Sequence, residues 1–580
     1  MQTTVERITA QRAHIEQLER ALWRDGVGEQ PLLAYQSAYR ELERLIAARG
    51  DDRRHHFVIL IPVADSPGHL RDCLSSLLEQ CRLYGYGGMQ AGRYRKVSVL
   101  LADDSANAEH CERQRATAGE FSDAGLDVEY FGIAEQLALL DRLADLDLGG
   151  VIGHHAPNAF GHKGQAMMRN IAYLRLAEMH AQRPAQRLLF YTIDADQLFA
   201  VQLATPDGGR RVAAINYLFE LDRIFADGGV KVLTGKVVGD PPVSPAVMAG
   251  NFLDDVTAFV EQMARCSADD GYRQPQPEVR GSGEAAYHDM AELFGFRGEQ
   301  TAYRYHCTLS EKPSNAECFA EFAQRLDSFF HGEHATRVTW YQYQEVSRSV
   351  VPARTVYTGN YVFSADALDW FIPFAPLRLR MSGPTMGRLM QAALSGGFVS
   401  ANLPMLHRRT RSLTGASEFR PGVVVGESNT DLSDEFERQF YGDVMLFSIQ
   451  RLVEQGFPGA RPSRSHVEST LQEVDAELRT RYADKQAKIE ARLEVLSQCL
   501  DDPARWWHSA PASAAAVPLF GAFLRGIRRN FGRDAAGRSR IESPQIRRHW
   551  HARQAQAIIG LPDAQAAWQQ ALRRLRVAAR

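Results

Sequence analysis

Through the middle of the chain, unbroken apolar runs alternate with amphipathic stretches, and acidic or turn residues gather where each run ends. Phe57 to Val63 reads FVILIPV, Val97 to Ala102 reads VSVLLA, and the run from Leu188 reads LLFYTI. Runs of this length without polar alternation predict strands covered on both faces. Leu70 to Cys81, LRDCLSSLLEQC, has the pattern of an amphipathic helix, and Gln165 to Glu178 also reads as a helix. The strands end in Asp65-Ser66-Pro67-Gly68, Asp103-Asp104-Ser105 and Asp194-Ala195-Asp196. Strands alternating with helices imply an α/β domain on an open sheet. Polar strand ends place its ligand crevice along the carboxyl edge of that sheet.

The pattern changes on both sides of this domain, which is expected over 56–425. Residues 1–55 read as a helical cap, from the spacing in HIEQLERALW and YRELERLIAA. Residues 267–345 read as an insertion, opening SADDGYRQPQPEVRGSGE, polar and rich in Gly and Pro, as suits a lid or an acceptor-selecting loop. Phe398 to His407 predicts a short strand ending in histidine. Residues 426–510 are expected to form a helical extension with one long charged helix from about 465 to 500. Residues 511–580 read as a linker, APASAAAV, and a basic helical tail. From Gly521 onward thirteen Arg stand against three acids. Val517 to Phe531, VPLFGAFLRGIRRNF, has the pattern of an amphipathic helix lying on an anionic surface, which implies a peripheral membrane contact.

Composition narrows the classes. The chain of 580 residues has room for two or three domains. Its net charge of −3 provides no field that would draw nucleic acid. Seven scattered cysteines, an odd count with no Cys-x-x-Cys, argue against a disulfide framework and against a thiolate zinc site. The first residues, MQTTVERITAQRAHIEQLER, lack the apolar core of a signal peptide, and no run approaches the roughly 20 apolar residues of a membrane span. These features imply a cytoplasmic setting. Abundant Ala and Arg suggest a bacterial gene of high GC content.

The chemistry concentrates at Asp194 and Asp196. Residues i and i+2 at a strand end face one point, and two carboxylates there suit a hard divalent cation that also takes phosphate oxygens. A second Asp-x-Asp, Asp145-Leu146-Asp147, lies in LALLDRLADLDL and reads as solvated helix surface. His407 closes a late strand and is a candidate ligand, while Arg408 and Arg409 read as a solvated pair. His331 and His334 have metal-pair spacing in a Gly-containing loop. Trp340, Tyr341 and Tyr343 are candidate sugar platforms, or else core.

The order of these pieces resembles the family-two-like glycosyltransferases of the GT-A fold. The family's opening strand matches Ile61-Pro62-Val63-Ala64-Asp65, and its first helix matches Cys73 to Gln80. Its second strand matches Asp103-Asp104-Ser105, less one spacer. Gly164 to Asn170 approximates its G-x-x-x-A-x-x-R-N loop and helix. The Asp-x-Asp follows, and Gly359 to Ser364 matches a later G-x-x-x-x-F/S segment. The likeness covers about residues 56–410. It implies a GT-A fold, a Rossmann-like open mixed sheet flanked by helices, with the helical cap and helical extension outside it. It implies a nucleotide-diphosphate sugar, a UDP- or GDP-sugar, as donor, and leaves the acceptor open. Pro62, Val63, Asp65, Asp103 and Asp104 then fall where the family binds base and ribose. Lys163 and Arg169 face the diphosphate, and Gly359 and Asn360 join the nucleotide-sugar site. Asp194 and Asp196, with Arg169, carry catalysis. Mn²⁺ or Mg²⁺ is held by Asp194, Asp196 and His407.

Two departures bear on mechanism. Inverting members carry a carboxylate base about twenty residues after the G-x-x-x-x-F segment, where this chain reads Met381-Ser382-Gly383-Pro384-Thr385-Met386-Gly387-Arg388. The Q-x-x-R-W signature of processive synthases is also absent, and His407 resembles the third metal ligand of retaining GT-A enzymes. The resemblance therefore favours retention. Inversion stays open, with Asp366, Asp369 or Glu418 as base. So does a degenerate domain that only binds a nucleotide sugar. A sugar nucleotidyltransferase is disfavoured, because Asp65-Ser66-Pro67-Gly68 is not a Gly-rich phosphate loop with a nearby Lys.

Overall fold

The structure, a computed structural model, describes residues 4–154, 160–205, 208–275, 304–309, 312–410, 418–426, 429–509 and 511–579. The expected fold class is the one the chain adopts. Strands β1 (His56–Val63), β2 (Val97–Asp103), β3 (Asp127–Phe131), β4 (Leu188–Ile193), β5 (Val232–Gly239), β6 (Asn360–Ser364) and β7 (Phe398–His407) form one open sheet. Across it the order is β7-β5-β6-β4-β1-β2-β3. Six strands run parallel. Of these seven, β6 opposes its neighbours β4 and β5. The short strands Val351–Pro352 and Gln197–Leu198 pair with β7. The carboxyl ends of β1, β2, β4, β5 and β7 therefore share one edge. Chain order reverses across β1, which lies between β2 and β4, and such a point opens a crevice.

The unbroken apolar runs have the cause expected of them, since every residue of β1, β2 and β4 is buried. Alternation along β1 divides two cores. Phe57, Ile59 and Ile61 face one that includes Tyr39 and Leu42 of the helical cap. Val58 and Leu60 face the other, with Met168, Ile171 and the carboxyl-terminal helices. The cap is two helices, α1 (Thr4–Arg24) and α2 (Glu29–Arg49). Trp23 of α1 stacks on Tyr343 with centroids 5.0 Å apart and meets Tyr341 edge-on at 5.1 Å. Those two tyrosines are core against the cap and not sugar platforms.

The later segments are more integrated than their composition suggests. Helix α3 (Asn315–Arg325) lies within the insertion, and its Phe319 stacks on Trp507 at 5.2 Å and meets Phe520 at 4.8 Å. Residues 276–303 and 310–311 of the insertion lie outside the described residues, and none of its described residues lines the crevice. Cys307 and Cys318 form a disulfide, with Cα atoms 5.7 Å apart. This corrects the cysteine argument: an odd count does not prevent one local pair across a short loop. Asp145 lies in the turn that follows the helix Ile133–Asp141 and Asp147 just beyond it, neither on a helix face.

The charged helix runs from Arg464 to Asp501. The tail contains α4 (Ala516–Phe531) and α5 (Pro544–Ala578), and its apolar face is turned inward. Phe520, Phe523 and Ile527 are buried, with Phe523 against Phe252 at 5.7 Å. Trp568 is fully buried, and its Nε1 donates to the Leu368 carbonyl at 2.9 Å. Removing such a ring costs about 3–5 kcal/mol. The apolar side of Val517–Phe531 is thus committed to the protein, not to a membrane. Among the described residues no helix is long and apolar enough to cross one.

Candidate active site

A cavity of about 280 Å³ opens at the shared carboxyl edge. One wall comes from β1 and β2 and the loop before helix α6 (Gln165–Gln182), and contributes Pro62, Val63, Asp104, His162 and Gly164. The floor is Asp194-Ala195-Asp196. The opposite wall contributes Tyr357, Met381, Pro384 and a group of arginines.

Most of the acidic residues on the first wall are internally partnered. Asp65 Oδ2 meets His162 Nε2 at 2.5 Å, and its Oδ1 meets His110 Nδ1 at 3.2 Å and accepts from the Asn107 amide. His162 stacks on Phe419 at 3.9 Å. Asp103 accepts from the Ser105 amide at 2.8 Å and the Tyr130 hydroxyl at 2.6 Å. Asp104 pairs with Lys163 Nζ at 2.6 Å and accepts the Lys163 and Gly164 amides, each at 3.0 Å. Lys163 has no exposed side-chain surface, and its Nζ also donates to the Phe160 carbonyl. Asp103 and Lys163 were expected to face the nucleotide. In this structure Lys163, paired with Asp104, fixes the loop that precedes α6, and Asp103 is taken up by Ser105 and Tyr130. Asn360 likewise donates to the Lys236 and Leu403 carbonyls and accepts from Tyr191, tying strands together.

The floor divides the Asp-x-Asp pair. Arg169, buried in α6, pairs with Asp194 Oδ1, and Gln165 Nε2 lies 3.4 Å from the same oxygen. Arg169 thus reaches the site through Asp194 and does not line the cavity. Gly359 makes this placement possible, because a Cβ there would lie 2.3 Å from Asp194 Oδ2. Asp196 points the other way. Its Oδ2 lies 3.2 Å from Arg409 Nη1 and 3.3 Å from His407 Nε2. Burial pushes its pKa up, but His407 and Arg409 outweigh that and hold it well below the usual carboxylate range.

His407 is fully buried at the end of β7, beside Gly239 of β5. Gly239 has φ +84°, and a Cβ there would meet the His407 carbonyl at 2.5 Å. The Nδ1 of His407 lies 2.7 Å from the Asp240 carbonyl, so Nδ1 carries a proton, and Nε2 is the nitrogen turned toward Asp196 Oδ2. Neither His407 Nε2 nor Asp196 Oδ1 has a hydrogen-bond partner, although both are buried. Buried polar atoms left this way call for a ligand. A hard cation suits one carboxylate and one imidazole if phosphate oxygens and water fill the other positions. The protein supplies no fuller set: among the described residues no three His, Cys, Asp or Glu side chains converge to hold a metal. The pair His331 and His334 is not such a centre either, since His334 is buried against Phe252 and Phe329.

Sequence reasoning missed the arginines. Arg378, Arg380, Arg409, Arg420 and Arg438 all line the cavity. Beneath them lies Glu435, whose side chain is fully buried. Its Oε1 accepts from Arg420 at 2.9 Å and lies 3.7 Å from Arg380. Burial, aided by Arg409 and Arg380 against the pull of Glu435, brings Arg420 down to about 10. Arg409 belongs to the pair read as solvated. Its available signal was position, two residues beyond a strand-end histidine.

No protein-family model matches the chain, and no curated protein matches it. Among solved structures it is similar to the mannosyltransferase PcManGT from Pyrobaculum calidifontis, solved in complex with GDP-Man and Mn²⁺. The identity is 11% and the TM-score 0.28, over 95% of this chain and 98% of that one. A likeness this slight carries no argument about chemistry.

Proposed function

We propose that the protein is a metal-dependent glycosyltransferase of the GT-A type, moving a sugar from a nucleotide-diphosphate sugar to an acceptor with retention of anomeric configuration. The observation that carries this reading is a buried pair at the carboxyl edge of an open α/β sheet: Asp196, whose Oδ1 has no hydrogen-bond partner, and His407, whose Nε2 lies 3.3 Å from Asp196 Oδ2. These two residues would hold Mn²⁺ or Mg²⁺. Once bound, such an ion supplies positive charge that stabilises a diphosphate leaving group. Arg409 adds a second positive charge beside Asp196. Arg169, through Asp194 Oδ1, and Gly359, against Asp194 Oδ2, fix Asp194 at the cavity floor. Pro62 and Val63 give the nucleoside an apolar ledge, and Asp104 holds the adjoining loop.

Retention is supported by the acids available. An inverting transfer needs a base for the acceptor proton on the face opposite the leaving group. Met381, Ser382, Gly383 and Pro384 do line the cavity, and none can serve. Asp366 pairs with Lys231 at 2.7 Å on an exposed surface, and Asp369 lies 3.7 Å from Arg576; neither lines the cavity. Glu418 does line it, but its two oxygens accept the Gly68 and His69 amides. With retention, the departing phosphate oxygen takes the acceptor proton instead.

The reading is tested by thermal shift with UDP, GDP and their sugars, with and without Mn²⁺, followed by anomeric proton NMR of the first product. We expect cation-dependent stabilisation by one nucleotide and an α-linked product from an α-linked donor. A β-linked product would overturn retention. Absence of any nucleotide or nucleotide-sugar binding would overturn the whole reading.

A further inference from the structure

The arginine wall is more positive than its own counter-ions can balance. Arg378, Arg380, Arg420 and Arg438 line the cavity in addition to Arg409. Among the described residues Glu435 lies beneath them; its Oε1 serves both Arg380 and Arg420, and its Oε2 is buried without a hydrogen-bond partner. Asp434 reaches Arg438 only at 3.9 Å and is largely exposed. Arg409 is occupied by Asp196. The side chains are held, not floating. Arg438 Nε donates to the Arg378 carbonyl at 2.6 Å. Arg420 and Arg409 lie side by side over Gly332, where a Cβ would meet Arg420 Nη1 at 2.9 Å and Arg409 Cδ at 3.5 Å.

The decisive detail is Arg420. Its side chain is only 10% exposed, and Nη2 is bonded to Glu435, yet Nη1 is buried without a partner. A buried guanidinium N–H left open beside further cations is an arrangement suited to an oxyanion, which offers several acceptor oxygens to a planar fork. A neutral hydroxyl would not balance the charge.

We propose that Arg380 and Arg420 form an oxyanion site that binds a phosphate or carboxylate group without needing the divalent cation. The inference rests on the reading of the cavity as a transferase site only for the origin of that group. It comes either from an acidic acceptor or from the donor's own diphosphate. Both sources share the chemistry, and competition separates them.

The probe is inorganic phosphate, titrated by calorimetry into the full chain in EDTA, with chloride at matched ionic strength as the blank. Wild type should bind phosphate at millimolar or lower concentration. Arg420→Gln should weaken it at least tenfold, and Arg420→Lys should retain part of it. Arg380→Gln is the second variant, because its 3.7 Å contact with Glu435 is looser and its removal disturbs the fold less. Phosphate binding that persists beside a saturating nucleoside diphosphate assigns the site to an acidic acceptor. Displacement by that nucleotide assigns it to the donor. No phosphate binding by wild type, or binding equally strong in both glutamine variants, overturns the inference. A chain that binds phosphate through Arg420 but no nucleotide under any condition keeps this site and removes the function proposed above.

Discussion

On the β1–β2 wall of the cavity, Asp65, Asp103, Asp104 and Lys163 are all engaged with one another, with two histidines, or with backbone amides. On the opposite side, the same kinds of residue leave Asp196 Oδ1, His407 Nε2, Arg409 Nε and Arg420 Nη1 buried and open. Charged residues at strand ends are thus put to two uses. A closed set builds a rigid ledge, since a satisfied buried network fixes one geometry. An open set leaves buried polar atoms without a partner among the described residues. Acidic character at a strand end does not distinguish the two, but the completeness of hydrogen bonding does.

The comparison breaks most visibly if the closed set proves dispensable. Lys163→Met leaves Asp104 buried without its cation, and losing one partner of a buried pair costs about 3–5 kcal/mol. We expect a marked fall in the urea midpoint, while the activity of the remaining folded fraction changes far less. Unchanged stability with lost activity would place Lys163 in the chemistry after all. Asp196→Asn is the converse. It removes charge from the open set, and we expect transfer to fall by at least about 100-fold, the scale of a lost metal contact in the transition state. Saturating Mn²⁺ and nucleotide at about 100 times Kd should stabilise wild type by about 2.7 kcal/mol and this variant much less. Wild-type turnover in this variant, or full activity in EDTA, would contradict the assignment. Gly359→Ala sharpens the boundary between the sets. The added methyl must displace Asp194, at a cost of about 1–3 kcal/mol of overpacking. Activity should drop roughly tenfold through donor affinity, and a wild-type KM for donor would show that Asp194 does not need its present position.

Much of this architecture was legible in the chain, for identifiable reasons. FVILIPV, VSVLLA and LLFYTI have no polar alternation because both faces are covered, so their strands could be read directly. Asp194 and Asp196 stood out because carboxylates directly after such a run have no packing reason to be there. His407 followed from its position at the end of β7. What could not be read was partnership. Nothing in GHKG or VSVLLADD tells whether Lys163 turns outward to a phosphate or inward to Asp104. The arginine wall was hidden because Arg380, Arg409 and Arg420 come from separate positions in the chain that the fold gathers around Glu435. The tail misled through its flanking arginines: the amphipathic pattern of Val517 to Phe531 was legible, but basic flanks assigned its apolar side to an anionic surface, whereas Phe520, Phe523 and Ile527 pack inward.

The smallest effect applies the same reasoning away from the cavity, at the seam of the helical cap. Glu220 is buried, and burial pushes its carboxyl up to about 7. Arg223, 3.5 Å away, pulls against that, while Glu19, Glu345 and Glu16 add to it. Glu19, on the cap itself, is also pushed up to about 7, first by burial and then by Glu345. Here the folded chain holds a proton more tightly than the unfolded one, whose carboxyl has the usual value near 4.5. The contribution of Glu220 to stability is therefore most favourable below pH 4.5. It is lost progressively as pH rises to about 7, and above that the penalty is constant. Glu220→Gln removes the charge but keeps the shape. It should raise stability at pH 8 by about 1 kcal/mol, a value discounted for the loss of Arg223's partner, and should change it little at pH 5. Urea midpoints at the two pH values measure this directly. An equal shift at both, or a loss at pH 8, would mean that Glu220 is ionised and well partnered in the folded chain, and that the seam belongs with the closed set.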